Sequence, residues 1–294
     1  MRVLVTGATG QLGSEVATEF RRSGHEVIAP GRSELDLSLP SHVATTAMQW
    51  QADWVINCAA YTQVDKAESE SESQQAFIVN RDSPEQLAQA VANYGGRMLQ
   101  VSTDFIFDGM QRQPYQETDQ TNPLGVYGRS KLEGELAVRR VLPEAVVLRT
   151  AWVYGVRGHN FVKTMLRLAM AGKPLRVVDD QVGTPTWTTD IAAAIVALVA
   201  REAAGTFNYT NAGQTSWHGF ASAILEEGAR AGFAVKTAAV SPIPTTDYPT
   251  PATRPAYSVL NTEKIRPLLS GSIPDWRDSL KKMLEELYRC ADCL

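Results

Sequence analysis

Cysteine and histidine are scarce in this chain, and long apolar runs are missing. Three cysteines stand among 294 residues: Cys58 inside an apolar stretch, Cys290 and Cys293 in the tail. An odd count makes a disulfide framework an unexpected feature. One C-x-x-C pair supplies two zinc ligands where four are usual. The tail cysteines are therefore read as inert. The four histidines, His25, His42, His159 and His218, are scattered and lack metal-ligand spacing. No apolar run approaches the ~20 residues that span a bilayer. Met1-Arg2 is followed by three apolar residues and then Thr6-Gly7, which is not a signal peptide. No membrane partner is expected, and the expected compartment is the cytoplasm. A basic excess is also missing, since 28 Lys plus Arg face 32 Asp plus Glu, for a net charge of -4. Binding a nucleic-acid polymer needs a basic surface that neutralises phosphates, so none is expected as partner.

What remains is an ordinary globular composition, 44% hydrophobic and 20% charged. At roughly 100–200 residues per domain the length suggests about two domains. The first half alternates strand and helix signals. Arg2–Thr6 is a short apolar run stopped by Gly7, as in a buried strand. Leu12, Val16 and Phe20 then recur every fourth residue, one face of a helix closed by Gly24. Further strands are expected at 26–30, 54–59, 97–102 and 145–149, with a helix after Pro40 that turns Val43, Ala47 and Trp50 inward. Strands separated by helices imply parallel βαβ units with right-handed crossovers. The expected fold class is α/β, a Rossmann-like doubly wound parallel sheet. Helices are expected near 160–171, 190–203, 217–231 and 276–288. Pro242, Pro244, Pro249, Pro251 and Pro255 mark an extended loop.

Gly7-Ala8-Thr9-Gly10-Gln11-Leu12-Gly13 lies between the first strand and the first helix. In that context Gly7 permits the turn, Gly10 lets backbone approach a pyrophosphate, and Gly13 lets helix and strand pack closely. The helix start offers free N–H groups to the phosphates. Outside a strand-to-helix junction, glycine spacing alone is a weak signal. Tyr127 and Lys131 are four apart and share a helix face. A neighbouring ammonium would lower the phenol pKa from its usual ~10. Thr103 stands at the end of the fourth strand, the edge where open α/β sheets bind ligands. Each motif alone is common, and their order along one chain is specific.

With these motifs the chain resembles the extended short-chain dehydrogenase/reductase family, and within it the reductases of dTDP-linked 4-keto-6-deoxy sugars. Supporting stretches are 59–68, 102–109, 149–154, 180–186, 248–255 and 260–264, so the resemblance covers essentially the whole chain. It implies a dTDP-sugar substrate whose C4 ketone receives hydride from a nicotinamide cofactor. Tyr127 would donate the proton, Lys131 would hold the ribose and lower the tyrosine pKa, and Thr103 would bond the carbonyl. Asp104, Phe105 and Trp152 match positions facing the sugar. Gly10, Gln11, Leu12, Ala59, Ala60, Tyr61 and Thr62 match cofactor contacts, and Asp36 and Leu37 match positions near adenine. Arg254 is a candidate for the diphosphate, with a surface ion pair as its alternative reading. The second strand leads into Arg32 and Ser33, where an NAD enzyme would carry an acidic residue. NADPH is therefore the expected cofactor, with NADH second. The resemblance also raises Mg2+, with Glu15 as a ligand and Asp190 as its partner, although Trp187-Thr188-Thr189 stands where more acidic ligands would be expected. A dinucleotide domain is expected at 1–151, with about 172–200 returning to it, and 152–294 forms mainly a substrate domain. The oligomeric state is left as monomer or homodimer. A 4,6-dehydratase carries Asp-Glu after the threonine, and here Asp104 is followed by Phe105. A 4-epimerase remains open, as does a non-catalytic relative similar to the regulatory subunit of methionine adenosyltransferase.

Overall fold

The computed structural model describes residues 1–237 and 239–290. Six strands form one parallel sheet: β1 (Arg2–Thr6), β2 (Glu26–Ile28), β3 (Trp54–Asn57), β4 (Arg97–Thr103), β5 (Val146–Thr150) and, far along the chain, β10 (Gly205–Asn208). Their spatial order is β2-β1-β3-β4-β5-β10. The order reverses between β1 and β3, and such switch points open a crevice at the carboxyl ends of the strands.

Successive residues of each strand point to opposite faces, and the core divides accordingly. Val3, Val5, Trp54, Ile56, Leu99 and Val101 join one apolar cluster, while Leu4, Val55 and Met98 join the other. The first face is covered by α1 (Gln11–Arg22) and α7 (Thr188–Ala200), which also pack on each other. The second is covered by α2 (Pro40–Trp50), α4 (Ser83–Tyr94) and α5 (Val126–Val141). Between α3 (Glu70–Phe77) and α4 the helix runs through one π turn, Ile78–Asp82. A third apolar cluster joins α6 (Phe161–Met170), α8 (Trp217–Ala231) and α9 (Trp276–Arg289) around the buried Phe220.

Three short ribbons stitch these layers together. β6 (Val153–Tyr154) pairs with β9 (Thr186–Trp187), β7 (Leu175–Val178) with β12 (Val240–Ile243), and β8 (Val182–Gly183) with β11 (Thr215–Ser216). β12 corrects part of the proline-rich stretch expected to be loop. A two-stranded ribbon leaves an open edge on each strand, and there Pro242 is tolerated. Among the described residues no helix is long and apolar enough to cross a membrane. Cys58 is free. Cys290 is disulfide-bonded, which corrects its reading as inert: an odd count excludes a fully paired set but leaves room for a single bridge. Cys293 lies outside the described residues.

Candidate active site

One cavity of about 1090 Å³ opens along the carboxyl ends of β1, β3, β4 and β5. Its floor is the turn from β1 to α1. Gly7 has φ +64°, and a Cβ there would come within 2.8 Å of the Ala59 nitrogen. Gly13 sits below the loop, where a Cβ would approach the Gly7 carbonyl to 2.2 Å. Both positions exclude side chains, so the loop closes tightly and the start of α1 faces the cavity. Gly7, Gly10, Gln11 and Leu12 line it, together with Ala59, Ala60, Tyr61 and Thr62 from the end of β3. The Gln11 amide donates to the His159 carbonyl at 3.0 Å and accepts from Asn160 at 2.9 Å. That ties the glycine loop to the segment ahead of α6.

The segment after β3 is held by a residue with no signal in the local sequence. The Asn80 carboxamide accepts from the Tyr61 backbone N–H at 2.9 Å, donates to the Tyr61 carbonyl at 3.1 Å and donates to Ser130 at 2.9 Å. Asn80 sits in the π turn, a local widening that often marks functional sites.

On the opposite wall α5 brings Tyr127 and Lys131 to the cavity, and β4 ends there with Thr103 and Asp104. The Thr103 hydroxyl accepts from the Phe105 N–H at 3.2 Å and donates to Asp104 at 3.1 Å. It also lies within hydrogen-bond reach of the Tyr127 phenol. Lys131 is buried and donates to the Val101 carbonyl at 2.6 Å. Burial pulls its ammonium down to about 8, opposed by the charge of Glu135. Burial pushes the Tyr127 phenol up to about 12; the Thr103 bond opposes this and the Asp104 charge adds to it. The expected lowering of Tyr127 by Lys131 is thus corrected: desolvation of the phenolate is the largest cause, and it raises the phenol.

Asp104 is also buried. Burial lifts its carboxyl to about 6, with hydroxyls of Ser258 and Thr103 holding it back. The folded chain therefore keeps this proton up to about pH 6, whereas an unfolded Asp loses it near ~4. Across that window the folded state binds more protons, so stability falls as pH rises. Asp104→Asn should raise stability at pH 8 by about 3 kcal/mol and leave it nearly unchanged at pH 4. Urea unfolding of both proteins at the two pH values measures this, and an equal difference at both would show that Asp104 does not titrate late.

Phe105, Trp152 and Arg254 complete the cavity wall, and Arg32, Asp36 and Leu37 line its far end. Arg32 is exposed and pairs with Asp36 at 3.3 Å. The Glu34 carboxylate accepts from the Gly31 N–H at 2.9 Å. Ser33 is not part of this wall: it lines a small groove beside Glu34 and His42. That groove shares Leu35 and Asp36 with the cavity, so Ser33 stands beside the wall. Arg254 grips Asp65 with both Nη atoms, at 3.0 and 2.7 Å, and also donates to Thr250 and the Ala252 carbonyl. Both readings of Arg254 thus meet in one residue: it is ion-paired and lines the cavity.

Among the residues that reach the cavity without having been read as site residues are Ser102, Thr150 and Trp217. The Ser102 and Thr150 hydroxyls are buried with no partner in the protein. Such groups are costly unless a ligand satisfies them, and they suit the amide and hydroxyl groups of a dinucleotide or sugar. Their signal was position alone, beside Thr103 on β4 and at the matching end of β5.

The magnesium reading finds no ligand set. Among the described residues no group of three or more His, Cys, Asp or Glu is placed to hold a metal. Asp190 is committed to Asn211 at 2.7 Å and Ser279 at 2.5 Å. Glu15 is half-buried on α1, where burial and Glu286 raise its pKa.

Comparison with known proteins agrees with this geometry. The family model for the RmlD substrate binding domain matches residues 1–289. The chain is 42% identical to the dTDP-4-dehydrorhamnose reductase of Burkholderia thailandensis over 298 aligned positions, covering 98% of this chain and 99% of that one. It is similar to the crystal structure of a dTDP-4-dehydrorhamnose reductase from Clostridium acetobutylicum, with TM-score 0.90, 40% identity, and 98% and 99% of the two chains covered. The Bacillus anthracis dTDP-4-dehydrorhamnose reductase in complex with NADP gives TM-score 0.90 at 32% identity, covering 97% and 99%.

Proposed function

The chain belongs to the RmlD substrate binding domain family, and from that premise we propose that it reduces the C4 ketone of dTDP-4-dehydro-β-L-rhamnose with NADPH, yielding dTDP-β-L-rhamnose. It is an NAD(P)H-dependent oxidoreductase. The observation that carries the reading is that Thr103, Tyr127 and Lys131 face the same cavity as the glycine loop.

The cofactor, when bound, supplies the hydride. Tyr127 supplies the proton to the C4 oxygen. A phenol at about 12 stays protonated at neutral pH, which suits a donor to a forming alkoxide. Thr103 turns its hydroxyl proton from Asp104 to the ketone oxygen. Lys131, charged below about 8, donates one N–H to the Val101 carbonyl and turns the others to the ribose hydroxyls. Asp104 accepts from a sugar hydroxyl, and Phe105 and Trp152 flank the ring. Gly7, Gly10, Gln11 and Leu12 hold the pyrophosphate at the start of α1. Ala59 to Thr62 lie along the dinucleotide, with Asp36 and Leu37 at its adenine. Arg254 keeps Nε and one Nη2 proton for the substrate diphosphate. Residues 1–151 form the nucleotide side together with α7 and β10, which return to its sheet, and the rest of 152–294 forms mainly the sugar side. The working unit is a monomer or homodimer, and the proposed compartment is the cytoplasm.

The test is NADPH consumption by purified protein given the 4-keto sugar nucleotide. No turnover by protein that still binds NADPH, with a control reductase active, would defeat the reading in favour of a binding subunit. Interconversion of sugars without net NADPH loss would favour an epimerase.

Cofactor choice is a separate expectation. Arg32 is exposed and meets Asp36 through Nε, which leaves its Nη groups to meet a 2′-phosphate. Arg32→Ala should cut the NADPH-over-NADH ratio of kcat/KM about tenfold, the size of a charged hydrogen bond at a wet surface. An unchanged ratio would remove Arg32 from phosphate recognition.

A further inference from the structure

Trp152 has an unusual backbone. Its φ is +45°, in the left-handed region that residues with a Cβ rarely adopt. Such conformations persist only where the surroundings over-determine them, and three contacts do so here. The Trp152 indole stacks on Trp217 with centroids 3.6 Å apart and planes 7° apart. Its edge lies over Gly183, where a Cβ would come within 2.5 Å of the ring. Its carbonyl accepts from the Thr186 N–H at 3.1 Å.

Trp217 and Gly183 are not independent. The β8–β11 ribbon pairs Gly183 with Thr215, two residues before Trp217. The Ser216 hydroxyl caps α8 by accepting from the Gly219 N–H at 2.9 Å and donates to Asp179. Trp217 is thus the first residue of a capped helix, backed by Phe161 at 4.8 Å. Ribbon and helix form one clamp around one indole, and both indoles are half-buried and line the cavity.

We propose that Trp217 is a positioning residue for the sugar nucleotide: with Gly183 it clamps the strained Trp152 indole in the substrate wall. This rests on the reductase reading for what the wall binds. The clamp acts on substrate placement and leaves the proton and hydride groups untouched.

Trp217→Ala should raise KM for the dTDP-4-keto sugar about tenfold, the upper range of an aromatic pair. It should change kcat less than about threefold and leave the Kd of NADPH unaltered, as for loss of uniform binding. Trp217→Phe, which keeps a ring at the position, should recover most of the KM. Gly183→Ala should reproduce the KM defect from the other side of the indole. In the double variant Trp152→Ala/Trp217→Ala, KM should match that of Trp152→Ala alone, because Trp217 acts through Trp152. Additive KM effects, no rescue by phenylalanine, or a parallel loss of NADPH affinity would overturn the clamp. If the wild type fails to reduce the sugar, the reductase reading falls. The clamp is then judged by the unfolding free energies of the same variants, and strict additivity there overturns it.

Discussion

Tyr127→Phe is expected to lower kcat by ~10²–10⁴-fold, the usual contribution of a positioned proton donor. The substitution removes one hydroxyl and keeps the ring. That ring packs edge-on against Phe105 with centroids 5.7 Å apart, so the fold and the sugar wall should survive. KM and NADPH affinity should therefore change far less than kcat. The pH profile separates the roles on α5. Tyr127 stands at about 12 and Lys131 at about 8, so the first loss of activity on raising the pH belongs to Lys131. Wild-type kcat/KM should fall as Lys131 loses its proton, well before the phenol ionises. Steady-state kinetics across pH 6 to 10 on both proteins checks this (a window of roughly two units either side of Lys131). Near-normal kcat in the phenylalanine variant would mean that the proton comes from elsewhere.

The site was legible in the sequence wherever chemistry and a local pattern coincide. The glycines sit between an apolar run and an amphipathic helix, so their spacing names the turn. Tyr127 and Lys131 share one helix face by spacing alone. Three features stayed hidden because they depend on distant contacts. β10 is only four residues long and carries Gly205, Thr206 and Asn208, so periodicity says little; it becomes a strand because β5 offers a free edge. Asn80 reads as an ordinary helix residue, and only the π turn aims its amide at Tyr61. Trp217 reads as a helix anchor in an apolar cluster, and only the fold stacks it on Trp152.

The phenol pKa shows the limit of reading one pair alone. A lysine four residues from a tyrosine predicts a lowered pKa if both lie in a polar site. In this fold the same helix face is buried, and burial acts on both groups at once. It raises the acid and lowers the base, and each shift favours the neutral form. Sequence spacing fixes which groups meet, whereas the dielectric they meet in comes from residues far along the chain.

Glu135 is one such residue, and Glu135→Ala should be the most destabilising single change near the site. The Glu135 and Arg149 side chains are only 4% and 7% exposed and pair at 2.8 Å. The Arg149 Nε donates to both carboxylate oxygens, and Nη1 donates to the Glu117 carbonyl at 3.1 Å. The pair joins α5, which carries Tyr127 and Lys131, to β5, which ends in Thr150. Removing the carboxylate strands a buried guanidinium, which typically costs about 3–5 kcal/mol. That is a large part of the ~5–15 kcal/mol holding a domain folded. Replacing both partners, as in Glu135→Leu/Arg149→Met, should recover much of the loss, because no lone charge is left inside. A second readout tests the link to the site. The Glu135 charge supports the Lys131 ammonium against desolvation, so its removal should move the alkaline limb of kcat/KM to lower pH. Urea unfolding of the single and double variants, with the pH profile of whichever remains folded, measures both effects. A loss below about 1 kcal/mol, the level of an exposed pair, together with an unmoved alkaline limb, would show that the pair neither holds α5 nor tunes Lys131.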